Sequence, residues 1–472
     1  MTITELGIYN LTLSVYMVLI TLVASSIPLT ISKITSHNKS TGKDSFTKYS
    51  ITSSLLITTS VSLLLVILLL ICKPLLILII GNTLGYEIII SLLPSIVFSA
   101  IYAPIRGFLW GNENYFGVSI VELIEQLLRI ALCMIFIYLN WFSFPAISVG
   151  VALSIACGIS TLYGFCLYFK NGGKLKFERG YSNDIITSTL PLTGVRLFSS
   201  LLQPLVAIIL PIILTKFGMD RNAALGELGV IMGMSLPIVT IPSTIIGSLC
   251  MILIPRISSS ENSHNRLNIQ IENYIIFSLV CLFAFVPVFL VLGAPLCEIV
   301  FNNTQSGIYL VYITWIIIPM GLSQITTSIL NALNQEKNTF IYFVISSIFM
   351  IITVLLLAKF IGIISMAFSI GISNIVLSFL NFKKIKKLTN YSPRIFKKLT
   401  TFFLLIIPVL LITKFTFSWV ILLTSDLASI IICGIVCVIS YIMLLFVFNV
   451  INYRAVINFV SKNFKKQPLK SI

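Results

Sequence analysis

Apolar runs of about 20 residues recur along nearly the whole chain, separated by short polar connections. Twenty residues of helix reach about 30 Å, the thickness of a bilayer's hydrocarbon core. Stretches bounded by charges or by Pro, Gly and Asn clusters give about thirteen expected spans. Those used below are the first (8–32), third (87–108), fourth (117–139), sixth (185–215), seventh (225–254) and ninth (308–333). No connection is long enough to fold as a water-soluble domain. Glu5, rather than Lys or Arg, precedes the first run, so it reads as a span and not as a signal peptide.

Composition agrees with the pattern. Of 472 residues, 57% are hydrophobic and 10% charged, with a mean hydropathy of +1.05, far from the roughly 25% charged residues of soluble domains. The expected fold class is an all-α polytopic membrane protein. The nine Cys lie in or beside apolar runs without a CxxC pair, and His37 and His264 fall in loops. Nothing here builds a metal site or a catalytic centre, so the expected protein is not an enzyme. It needs no cofactor beyond a coupling ion, H⁺ or Na⁺.

Charge placement sets the topology. If the loops alternate, one side holds only Lys73, Lys216, Arg221, Lys359 and Lys414. The other side holds every remaining Lys and Arg except Arg129 and Arg196, which lie inside spans. By the positive-inside rule the crowded side, with the C-terminus, is cytoplasmic. The net charge of +16 then follows from loops that face an anionic leaflet, and nucleic-acid binding is not required. The run KKIKK, Lys383 to Lys387, and Lys465 and Lys466 in the tail read as topology signals and lipid-headgroup contacts.

The sequence also repeats itself. LGIYNLTLSVYMVLITLVASSIPLTIS from Leu6 and LGVIMGMSLPIVTIPSTIIGSLCMILIPRIS from Leu228 both open on Leu-Gly and close on Ile-Pro followed by Ile-Ser. FLWGNENYF, Phe108 to Phe116, and LNALNQEKNTF, Leu330 to Phe340, recur at a compatible offset. An offset of six spans is even, which predicts two halves in the same orientation.

Three spans carry narrow polar stripes at helical spacing. The fourth has Glu122, Glu125, Gln126 and Arg129, the sixth Arg196, Ser199, Ser200 and Gln203, and the ninth Gln324, Thr327, Ser328 and Asn331. A charge at the bilayer centre costs roughly 2.5–3.5 kcal/mol, so these faces are expected to point at protein or at a cavity. Arg129 stands about 18 Å along its span, whereas the two Glu are shallow. Two readings stay open for Glu125 and Arg129: mutual neutralisation at i and i+4, or one wall of a cavity. Arg196 has no acidic partner within its span, 185–215, and its planar fork suits a phosphate or diphosphate.

The stretches LGIYNLTLSVYMVLITLVASSIPLTISK, YAPIRGFLWGNENYF with IVELIEQLLRI, and LGVIMGMSLPIVTIPSTIIGSLCMILIPRIS resemble the polysaccharide-export branch of the MATE-like (MOP) flippase superfamily. Within it they look most like the stage V sporulation protein B group. The resemblance implies two six-helix bundles around a cavity and two further C-terminal helices. On this chain these become an N-terminal bundle at 1–180, a C-terminal bundle at 181–385, and extra helices with a basic tail at 386–472. Relatives have fourteen spans, one ahead of the segment that here begins at Leu6, so this chain is expected to lack that helix.

The implied function is a flippase that moves an undecaprenyl-diphosphate-linked saccharide across the bacterial plasma membrane by alternating access, for cell-wall or surface-polysaccharide assembly. Candidate cavity residues are Arg129, Arg196, Glu122, Glu125, Gln126, Gln203, Gln324 and Asn331. Expected partners are the lipid-linked glycan, membrane lipids, and polysaccharide or peptidoglycan synthesis enzymes. No GxxxxGK[ST] is present, so an ion gradient or the membrane potential is the expected energy source. A cation-coupled multidrug exporter of the same fold and a non-transporting degenerate paralogue remain alternatives.

Overall fold

The computed structural model describes residues 1–40, 44–176, 181–258, 264–389, 395–423 and 425–448, all helix or short turn with no strand among them. The tail that carries Lys465 and Lys466 lies outside the described residues. The chain forms two compact units, Met1–Gly229 and Val230–Ile472.

The first unit contains α1 (Ile3–Ala24), α2 (Ile27–Ser40), α3 (Asp44–Ile71), α4 (Lys73–Ile80), α5 (Thr83–Gly111), α6 (Tyr115–Tyr138), α7 (Pro145–Lys170), α8 (Tyr181–Lys216) and α9 (Arg221–Val230), whose last residue crosses the boundary. The second contains α10 (Leu236–Ser258), α11 (His264–Phe301), α12 (Thr304–Ile313), α13 (Ile317–Ala332), α14 (Glu336–Ile361), α15 (Ser365–Thr389), α16 (Ile395–Val420) and α17 (Asp426–Val447). The division differs from the one expected at 180/181. Helix α8 packs against α1 and α3, which places it in the first unit.

Eleven helical stretches among the described residues are long and apolar enough to cross a membrane. One of them, Glu336–Thr389, comprises both α14 and α15, and α6 falls outside the class because Glu122, Glu125 and Arg129 sit within it. Over the described residues the expected spans thus fall on helices, and the chain is an all-α polytopic membrane protein. Several spans are interrupted where proline removes an N–H donor. The first breaks at Ser25–Ser26 ahead of Pro28, and the run from α3 into α4 breaks at Cys72, where Pro74 stands in the first turn of α4.

Helix α5 is central to the first unit and contacts α1, α2, α3 and α7. It approaches α2 closely because Gly107 and Gly111 lie one turn apart on one face. A Cβ at Gly107 would stand 2.7 Å from the Pro28 carbonyl oxygen, and one at Gly111 would stand 2.5 Å from Thr35 Cβ. Around this seam Ile31, Ile51, Ile105, Leu109 and Val121 are fully buried. Phe108 meets Tyr168 of α7 edge-on at 4.9 Å. Two more glycines bring α1 onto α9: a Cβ on Gly229 would fall 2.5 Å from the Gly7 nitrogen.

In the second unit, Phe283 stacks on Phe402 at 5.3 Å and meets Phe403 edge-on at 5.0 Å, which joins α11 to α16. Helices α13 and α15 are joined by polar contacts. Ser323 Oγ donates to Asn374 Oδ1 at 2.5 Å, and Asn381 Nδ2 donates to Thr327 Oγ1 at 2.9 Å.

The two matching segments end their helices with a turn that also closes helices at Asn140, Gly172 and Gly218. After α5, Glu113 takes a left-handed φ of 63°, its N–H donates to Trp110 O at 3.0 Å, and the N–H of Asn114 donates to Leu109 O at 2.9 Å. After α13, Asn334 takes φ 56°, its N–H donates to Asn331 O at 3.1 Å, and the N–H of Gln335 donates to Leu330 O at 2.9 Å. Both are Schellman closures, with i−3 and i−5 bonds about a left-handed residue. They fall in the two segments whose sequences match.

Candidate functional site

The fourth-span stripe is set by the turn before it. Asn114 Oδ1 accepts from the Gly117 N–H at 2.9 Å and starts α6. From that start Glu122, Glu125, Gln126 and Arg129 share a face, while Leu123, Leu127, Ile130 and Met134 lie exposed on the remaining surface.

Glu122 forms an ion pair at 2.6 Å with Arg106 of α5. The Arg106 guanidinium also lies over the Trp110 ring, one turn along, at 4.5 Å from its centroid. Glu125 turns to α7, where Ser160 Oγ donates to it at 3.4 Å and the Cys157 thiol is a second neighbour. Arg129 donates to the Gln126 side-chain oxygen. Glu125 and Arg129 are not within ion-pair distance of one another. Each takes a neutral partner instead.

Around these groups stand Tyr9, which feels the Arg129 charge, and Tyr16, whose hydroxyl bonds Ser95 Oγ at 2.6 Å. Tyr102 Oη and Arg106 Nε are buried polar atoms without a protein partner. Helices α1, α5, α6 and α7 thus bring hydroxyls, carboxylates and guanidinium groups together inside one unit.

Arg196 is held differently. Its Nη1 donates to the backbone oxygen of Ser25, at the break between α1 and α2. Thr193, one turn earlier on α8, bonds Ser26 side chain to side chain, and Thr189 Oγ1 donates to Thr30 Oγ1 at 3.3 Å. The seven-residue spacing from Thr189 to Arg196 is two helical turns, so one face of α8 lies along the broken helix. Arg196 also feels the charge of Arg106.

The remaining candidates are Gln203, Gln324 and Asn331. Gln203 is exposed farther along α8. Gln324 and Asn331 belong to the second unit. There the Gln324 amide covers Gly247 of α10, with Nε2 at 2.9 Å from where a Cβ would sit. Asn331 Oδ1 accepts from Thr339 Oγ1 at 3.0 Å and ties α13 to α14. Arg106 is the residue that sequence reasoning missed, since it was counted with the loop charges that set topology. Its signal was the i, i+4 spacing with Trp110 inside a helical run. Among the described residues no group of three His, Cys, Asp or Glu could hold a metal ion.

Comparison with known proteins matches this architecture. Stage V sporulation protein B of Bacillus subtilis (strain 168) is 26% identical over 267 residues, 53% of this chain and 51% of that protein. The chain spans about half the length of the curated relatives it matches. The inward closed structure of the lipid II flippase MurJ aligns with a TM-score of 0.71 at 16% identity, covering 95% of this chain and 94% of that one. An inward-facing multidrug resistance MATE family transporter of the MOP superfamily aligns with a TM-score of 0.69 at 16% identity, covering 83% and 93%. At such identities the likeness is one of fold, and the fold is that of MOP-superfamily transporters. Residues 1–259 match the family model described as polysaccharide biosynthesis protein, and this chain belongs to that family.

Proposed function

We propose that the chain is a flippase for a lipid-linked saccharide carried on an undecaprenyl-diphosphate-type lipid. The observation that carries this reading is the state of Arg129 and Arg196. Both are part-buried on helices of the first unit, and both donate to neutral acceptors, an amide oxygen and a backbone carbonyl. Their charges therefore lack the carboxylate that Arg106 has in Glu122. A guanidinium offers five donors, and one bond to a neutral oxygen leaves most of them available to an anion. Placing such a charge in a membrane is costly, and the cost is recovered when a diphosphate binds.

In this reading the stripe amides and the hydroxyls of the first unit meet the saccharide. Glu125, bonded to a hydroxyl and beside a thiol, takes the coupling H⁺ or Na⁺. The C-terminus is cytoplasmic, the membrane is the bacterial plasma membrane, and the product feeds polysaccharide or peptidoglycan synthesis enzymes.

The test is flipping of a fluorescent polyprenyl-diphosphate saccharide in vesicles that contain the purified full chain. Arg196→Ala and Arg129→Ala are each expected to slow flipping at least tenfold with insertion unchanged. Wild-type rates in both would overturn the reading. Export of cationic dyes without glycolipid flipping would favour the drug-exporter class.

A further inference from the structure

The second unit holds a groove of about 1040 Å³ bounded by α11, α13, α15 and α16, with no carboxylate among its lining residues. One face of α15 runs along it and changes character: Ile375, Phe379 and Phe382 are followed by Lys383 and Lys386. The 375, 379, 382, 383, 386 spacing is a single helical stripe, so the apolar length and the two ammonium groups lie on one line. The two hydroxyls in the lining are already satisfied. Thr314 Oγ1 donates to Leu310 O at 2.7 Å, and Ser378 Oγ donates to Asn374 O at 2.8 Å. Apart from the unpaired indole Nε1 of Trp315, the body of an occupant therefore meets hydrocarbon, and its charge meets two lysines at one end. Phe379 and Phe403 are more than half exposed at the mouth, which leaves the groove open sideways to the bilayer.

We propose that this groove is a binding site for an anionic glycerophospholipid of the surrounding membrane, with acyl chains along Ile375, Phe379 and Phe382 and the headgroup phosphate on Lys383 and Lys386. Charge complementarity selects an anion, because basic pockets between membrane helices take acidic headgroups. The lysines are point charges without amides or free hydroxyls beside them in the lining, which suits a small phosphate headgroup and not a saccharide. The site lies wholly within the second unit, apart from Arg129 and Arg196, and does not depend on the flippase reading.

Native mass spectrometry of the delipidated full chain tests it, with titration of phosphatidylglycerol, phosphatidylethanolamine and polyprenyl phosphate. Phosphatidylglycerol is expected to bind in preference to phosphatidylethanolamine. Lys383→Gln with Lys386→Gln should weaken it about thirtyfold. Lys384→Gln with Lys387→Gln, off the groove, should leave affinity within about threefold. Leu322→Trp, which fills the groove, should displace the lipid while both lysines remain. Three results would overturn the proposal: equal retention of the two phospholipids, equal loss in the two double variants, or complete displacement of phosphatidylglycerol by equimolar polyprenyl phosphate.

Discussion

Arg106 and Glu122 face one another across the α5–α6 seam at 2.6 Å, with Trp110 beneath the guanidinium. Both side chains keep over a third of their surface exposed, so the pair is screened and contributes less than a fully buried one. Arg106→Gln should cost roughly 1–2 kcal/mol, through the carboxylate left unpaired and the ring left uncovered. Exchange of the charges, Arg106→Glu with Glu122→Arg, should recover part of that loss. Thermal unfolding midpoints in detergent measure both.

The ladder from α8 to the broken helix gives a second expectation. Ser26 and Thr193 are in side-chain contact, close enough for cysteines at both positions to form a disulfide. Ser26→Cys with Thr193→Cys should crosslink under mild oxidant and stop flipping, and reductant should restore it. If the crosslinked protein flips at the wild-type rate, transport does not require α8 to move on the α1–α2 break.

Glu113 holds a left-handed φ of 63°, a conformation that glycine adopts without a Cβ penalty. Glu113→Gly should raise stability by about 0.5–1 kcal/mol, the balance of strain relieved against backbone freedom gained. The matching change Asn334→Gly should gain less, since Asn tolerates this region better. Paired thermal melts would show the difference.

Gly107 and Gly111 are expected to resist enlargement. Gly107→Leu drives carbon into the Pro28 carbonyl and should cost at least the roughly 1–3 kcal/mol of overpacking. Its effect should reach Arg106, because that residue lies beside the seam. Loss of stability together with loss of flipping is the expected result.

Most helices were legible because each needs only a run of apolar residues, a local property of the chain. The charged face of α6 was legible too, because its four polar residues recur at helical spacing. Arg106 was not, since what removes it from the topology charges is Glu122 on the next helix, and spacing along one helix does not report a neighbour. The partner of Arg196 was hidden for a similar reason. Its acceptor is a backbone carbonyl exposed by a break in a helix more than 150 residues earlier, and no side-chain pattern encodes that. Gln324 and Asn331 were grouped with the arginines by the helical spacing of their stripe, and spacing does not report that one lies over Gly247 and the other meets Thr339.

Gly7 and Gly229 belong to the two Leu-Gly pairs that open the matching segments, and they press backbone on backbone. A surface that meets its own likeness must be complementary to itself, as in an isologous dimer contact. A side chain added to one copy has no empty counterpart to enter, because the other copy offers the same flat backbone. The matching dipeptides therefore constrain each other: after a duplication neither can drift alone, and a paired change would have to supply both a bulge and a hollow.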